Sequence, residues 1–114
     1  MLTMPLYDRE KALAQIDGDA ALFAEIAAVL AAEGESYCAA LEIALASGDT
    51  AGLRREAHTV KSVLASFACE GGRELAWRLE EQAASGSLDG APERVADLVA
   101  VVRQLMAELA AQDA

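Results

Sequence analysis

Apolar residues recur along this chain at the three- and four-residue spacing of amphipathic helices, and strand-like alternation is absent. The clearest stripe is Val95, Leu98, Val102, Leu105 and Leu109, the core face of a last helix. Pro92 suits the first turn of that helix, where a missing N–H costs nothing. Leu53, Ala57, Val60, Leu64 and Phe67 make a second stripe, in a helix predicted from Asp49-Thr50 to about Phe67. Gly48 precedes it as a left-handed cap. Gly71-Gly72 predicts a break, followed by a helix carrying Leu75, Leu79 and Ala83.

Earlier in the chain, Gly18-Asp19 opens a long segment, with Asp19 placed to cap the free N–H groups of the next turn. Leu22, Ile26, Val29 and Glu33 fall on one side of it, and Leu22 and Ile26 are taken as its core stripe, with Phe23 and Leu30 adjoining. Gly34 is expected to interrupt it before a segment carrying Tyr37, Leu41, Ala44 and Leu45. Arg9 to Ile16 predicts a short helix with Leu13 and Ile16 inward. The longest polar connection is Ser85-Gly86-Ser87-Leu88-Asp89-Gly90. Short links between long helices favour antiparallel neighbours. The expected fold is all-α, an antiparallel four-helix bundle with one or two additional short helices, in a single domain over residues 1–114.

Composition narrows the function. A chain of 114 residues supports one modest core. Its net charge of −10 repels phosphate backbones and anionic lipid, so no nucleic-acid partner is expected. No apolar run is long enough to cross a membrane, and the N-terminus lacks the basic and apolar regions of a signal peptide. Cys38 and Cys69 lie in separate apolar segments, which is neither a disulfide framework nor a metal-ligand spacing. A cytoplasmic protein without a metal is the expectation.

The single histidine, His58, lies about 140° around its helix from the centre of the core stripe, so it points outward or to a groove edge. From phase alone an idle surface histidine is as good a reading as a working one. Its surroundings favour work: Lys61, Ser62, Ala65 and Cys69 follow at +3, +4, +7 and +11, three of them small. Small neighbours let another protein approach the ring, and Lys61 stands where it can neutralise a dianion at the imidazole. Residues 54–78 hold five cations (Arg54, Arg55, Lys61, Arg73 and Arg78) against three anions. That local excess attracts an acidic surface or a phosphoryl group within a Debye length of about 8 Å. Neutral imidazole is nucleophilic near pH 7. No carboxylate sits at ±3 or ±4, and no glycine-rich nucleotide loop is present.

The run Ala57-His58-Thr59-Val60-Lys61-Ser62-Val63-Leu64-Ala65-Ser66-Phe67-Ala68 resembles the signature of histidine-containing phosphotransfer (HPt) domains. The Gly18-Asp19 opening, the Gly48-Asp49 turn and the later Leu79-Glu80 fall where such domains have them. The resemblance implies a phosphorelay intermediate that takes a phosphoryl group on His58 from a receiver's aspartyl phosphate and passes it to another receiver. It implies Nε2 as the phosphorylated atom, Lys61 as the stabilising cation, and Mg²⁺ on the partner receiver only, with no cofactor on this chain. Partners would be response-regulator receivers, including one carried by a hybrid histidine kinase. Ser62 replaces the family's usual glycine, and its hydroxyl is placed to bond a phosphoryl oxygen.

Docking is expected over Ser62, Ala65, Cys69, Arg54 and Arg55, with Phe23, Ala27 and Leu30 as an apolar flank. Phe23 as peripheral core is the competing reading. A helical adaptor that docks receivers or kinases without passing phosphate is the main alternative function, although it would need neither His58 nor Lys61. A kinase dimerisation domain would need a partner chain and an attached ATP-binding domain, and a hydrolase would need a second catalytic group. The chain is therefore expected to act as a monomer with no kinase activity of its own.

Overall fold

In the computed structural model, which describes residues 6–112, the chain forms helices α1 (Arg9–Ala14), α2 (Ala20–Ala46), α3 (Thr50–Ser66), α4 (Glu70–Ala84) and α5 (Ala91–Gln112). No strand occurs among the described residues. Residues 1–5, part of the segment read for a signal peptide, and residues 113–114 lie outside them.

Aspartates start the first three helices. Asp8, Asp19 and Asp49 accept hydrogen bonds from the backbone N–H groups of Lys11, Leu22 and Gly52 at 3.0, 3.0 and 2.8 Å. Each such cap stabilises its helix by about 1 kcal/mol. Gly48, at φ +66°, supplies the left-handed residue that ends α2.

Neither predicted glycine break occurs where expected. Gly34 does not divide α2, which runs unbroken for 27 residues. A mid-helix glycine costs only about 0.5–1 kcal/mol relative to alanine, too little to interrupt a helix packed on both sides of it. Gly34 is buried, and the Met106 thioether of α5 occupies the space that a Cβ would take. Gly71-Gly72 likewise lies inside the first turn of α4. The reversal between α3 and α4 is made instead by Phe67, Ala68 and Cys69, with Ala68 at φ +51°. A Cβ on Gly72 would sit 2.8 Å from Val101 Cγ1 and 2.9 Å from Leu64 Cδ1, so that glycine lets α4 close on both neighbours.

The stripes predicted for α3 and α5 are buried throughout. In α2 the stripe is rotated. Phe23, Leu30, Cys38, Leu41 and Ala44 are buried, while Leu22 and Val29 are 38% and 55% exposed. From Ala20 to Ala32 the only charged residue is Glu25, so spacing alone cannot select a face. Contacts select it. The Phe23 ring meets Phe67 edge-on at 5.8 Å and carries the Arg9 guanidinium over its face at 4.6 Å. In α1 the fully buried residue is Ala12, with Leu13 and Ile16 half-buried against the core.

Helix α3 packs most extensively on α4, α2 packs on α5 and α3, and α4 on α5, while α1 lies along α2. Short turns at residues 47–49, 67–69 and 85–90 reverse the chain between the four long helices. The result is the expected all-helical bundle, and it holds α3 between α2 and α4 with one face outward.

Candidate functional site

His58 stands at the middle of α3 on that outward face, its side chain 60% exposed. The ring has a partner. Glu80 reaches across from α4 and places Oε2 3.0 Å from His58 Nδ1. Its other oxygen, Oε1, lies 2.6 Å from Lys61 Nζ as an ion pair, outside good hydrogen-bond geometry. One carboxylate thus joins the histidine and the lysine of α3. Glu80 is far less exposed than the ring it holds, because α3 and α4 are the most closely packed pair in the bundle.

Burial alone would push the Glu80 carboxyl up. The ion pair with Lys61 and the hydrogen bond with His58 more than offset that and hold it below the usual carboxylate range. An ionised carboxylate can only accept hydrogen bonds, so the proton shared with Oε2 belongs to Nδ1. In neutral imidazole the lone pair is then on Nε2, the nitrogen left open to solvent. The arrangement fixes ring orientation and tautomer in the way a carboxylate orients a metal-bound or catalytic histidine.

The remaining predicted residues divide. Ser62 is exposed beside His58, but its hydroxyl donates back to the His58 carbonyl at 3.2 Å and is not turned toward the ring. Ala65 is half-buried, and its carbonyl accepts from Gln15 Nε2 at 3.2 Å. Arg54 and Arg55 are exposed and, with Ala51, Thr59 and Glu80, line the same open concavity as His58, about 520 Å³ in volume.

Cys69, Phe23 and Leu30 do not belong to the surface: they are 1%, 4% and 2% exposed. Cys69 misses the His58 face because α3 ends at Ser66 and the chain turns before reaching it. Burial pushes its thiol up, as it does that of Cys38. Phe23 and Leu30 are core, the competing reading for Phe23. Ala27 is half-buried and faces α5, lining a groove with Met106 and Leu109 away from α3. The apolar flank that does adjoin α3 is formed by Ile26, Val29 and Tyr37 of α2 with Val63 and Ser66 of α3.

Glu80 is the residue that sequence spacing did not find. It lies 22 residues from His58, and the only signal for it was its place beside Leu79 in the family pattern.

A family model described as "Hpt domain" matches residues 25–112, most of the chain. The chain belongs to the Hpt domain family. A solved structure, the histidine-containing phosphotransfer protein B (HptB) of Pseudomonas aeruginosa PAO1, matches with a TM-score of 0.85 over 96% of each chain at 19% identity. That likeness carries the fold. No curated protein sequence matches significantly. Hpt domains are phosphotransfer intermediates of phosphorelays that work with receiver domains and are not kinases. This Hpt domain therefore has a histidine phosphotransfer role. Among its described residues no cluster of three metal-ligating side chains occurs, and no helix is long and apolar enough to cross a membrane.

Proposed function

We propose that Nε2 of His58 accepts a phosphoryl group from the aspartyl phosphate of one receiver and passes it to the aspartate of another. The observation that carries this reading is the Glu80–Nδ1 contact at 3.0 Å on a ring otherwise open to solvent. The Nε2 lone pair attacks phosphorus in line with the P–O bond to the donor carboxylate. That bond breaks, its electron pair leaves on the carboxylate, and an N–P bond forms. The proton stays on Nδ1, so the product ring is a phosphoimidazolium. Its positive charge lies beside the Glu80 carboxylate, which is where electrostatic stabilisation is needed. Return transfer to a second aspartate reverses each step.

Lys61 adds positive potential for the phosphoryl oxygens while it anchors Glu80 on the opposite side. Mg²⁺ is held by the receiver, the phosphoryl group arrives from that partner rather than from ATP on this chain, and the protein acts as a cytoplasmic monomer. The receiver settles over the outward face of α3, with Ser62 and Ala65 admitting it and Ile26, Val29 and Val63 as the apolar flank. The flank continues the phosphoacceptor face along α3, so one partner surface covers both.

Incubation with a phosphorylated receiver tests the proposal. Acid-labile, alkali-stable label is expected on the wild type and absent from His58→Gln. An unlabelled wild type refutes it and leaves an adaptor role.

A further inference from the structure

The chain carries nine lysines and arginines against nineteen acids, and seven of those cations are engaged. Lys11 and Arg73 pair with Glu70, Lys61 with Glu80, Arg78 with Glu74 and Arg103 with Glu35. Arg94 donates to Gln82, and Arg9 covers the Phe23 ring. The other two are Arg54 and Arg55, and neither guanidinium has an ion pair, hydrogen bond or ring contact among the described residues. Both lie on the turn of α3 that precedes His58, and both line its concavity. In a protein with a net charge of −10, two adjacent guanidinium groups have been left without acids at this one place.

Helix geometry brings the imidazole toward them. Side chains on an α-helix lean toward its N-terminus, so the imidazole of residue 58 lies over the turn holding residues 54 and 55. Glu80 takes Nδ1. Lys61 lies C-terminal to the histidine, does not line the concavity and is committed to Glu80 at 2.6 Å. A phosphoryl group on Nε2 thus meets two unpartnered guanidinium groups on one side and a lysine already bound to a carboxylate on the other.

We propose that Arg54 and Arg55 form the phosphoryl clamp of this protein, hydrogen-bonding the oxygens of the dianion on Nε2, while Lys61 anchors Glu80 and adds only positive potential. The guanidinium fork matches such oxygens, and neither arginine must first give up an acid partner to bind them. This assignment rests on His58 being the phosphoacceptor, as proposed above, but it does not depend on how a receiver docks.

Phosphoramidate, a small donor with no docking surface, separates the two. Its P–N bond breaks with the electron pair leaving on ammonia as the Nε2–P bond forms. Labelling of His58 in the Arg54→Ala/Arg55→Ala variant is expected to be at least about fivefold slower than in wild type, the effect of losing two exposed charge contacts. The ³¹P resonance of the phosphorylated protein should titrate with its midpoint raised by about one pH unit, because the clamp favours the dianion over the monoanion. Arg54→Lys/Arg55→Lys should restore most of the midpoint, and Lys61→Ala should move it less than the double alanine variant does. Helicity by circular dichroism should match wild type in all of them.

An unchanged midpoint and labelling rate in the double alanine variant overturns the clamp. So does normal phosphoramidate labelling with slowed transfer from a receiver, which would place the arginines on the partner instead. Transfer from a phosphorylated receiver to wild type is run beside these. Its failure refutes the relay reading, whereas its success with an arginine-independent midpoint refutes only the clamp.

Discussion

Replacing Glu80 tests the central electrostatic claim. In the proposed transfer, phosphorylation converts a neutral ring into a phosphoimidazolium, and the carboxylate 3.0 Å from Nδ1 would stabilise the new charge. Coulomb's law at that distance gives about 1.4 kcal/mol in a water-like dielectric and about 2.8 at half that dielectric. His58 is mostly exposed, so the lower figure governs, and it corresponds to about tenfold in rate. Glu80→Gln keeps an acceptor for Nδ1–H and removes the charge, so transfer from a phosphorylated receiver should slow about tenfold with the tautomer retained. Glu80→Ala also releases the tautomer, and the ¹⁵N shifts of the ring should report a mixture where wild type shows Nδ1–H. The carboxyl titrates below its ordinary value, so the contribution of this contact to stability is complete above that value and lost as the pH falls through the folded one. Wild type and Glu80→Gln should therefore converge in stability in acid and diverge toward neutrality. Wild-type rates in both variants, or a wild-type ring protonated on Nε2, would refute the reasoning.

Lys61→Ala leaves a mostly buried carboxylate without its cation, and receiver transfer should fall ten- to a hundredfold, about 1.4–2.7 kcal/mol, with helicity unchanged; equal rates would remove Lys61 from the mechanism. Val29→Glu puts a charge on the apolar flank at a residue 55% exposed, so it should weaken receiver binding measured by titration calorimetry while leaving phosphoramidate labelling intact; undiminished affinity would remove that flank from the interface. Gly72→Ala drives a Cβ against Val101 and Leu64 and should cost about 1–3 kcal/mol in urea unfolding. Gly34→Ala meets only the flexible end of Met106 and should be stabilising by up to about 1 kcal/mol; a large loss there would show that the thioether cannot move.

What could be read from the chain follows from where each signal resides. The α3 and α5 stripes were legible because polar residues alternate with them, so one phase fits, and that phase turned His58 outward. In α2 an almost uniformly apolar stretch offered no contrast. Its face is chosen by the Phe67 ring and the Arg9 guanidinium, which are contacts from other elements. The glycines misled for a related reason: both read as local breaks, but Gly34 is covered by the flexible end of Met106 and Gly72 serves the close approach of α3 and α5, a demand made by tertiary packing. Glu80 is the same case with chemical consequences. Its distance from His58 is set by how tightly α4 settles on α3, and Gly72, buried under Leu64 one helix face away, is part of what lets it settle. The position of the proposed nucleophile is thus a local property of α3, whereas its tautomer belongs to the α3–α4 interface. Substitutions that loosen that interface should reduce phosphotransfer without touching either His58 or Lys61.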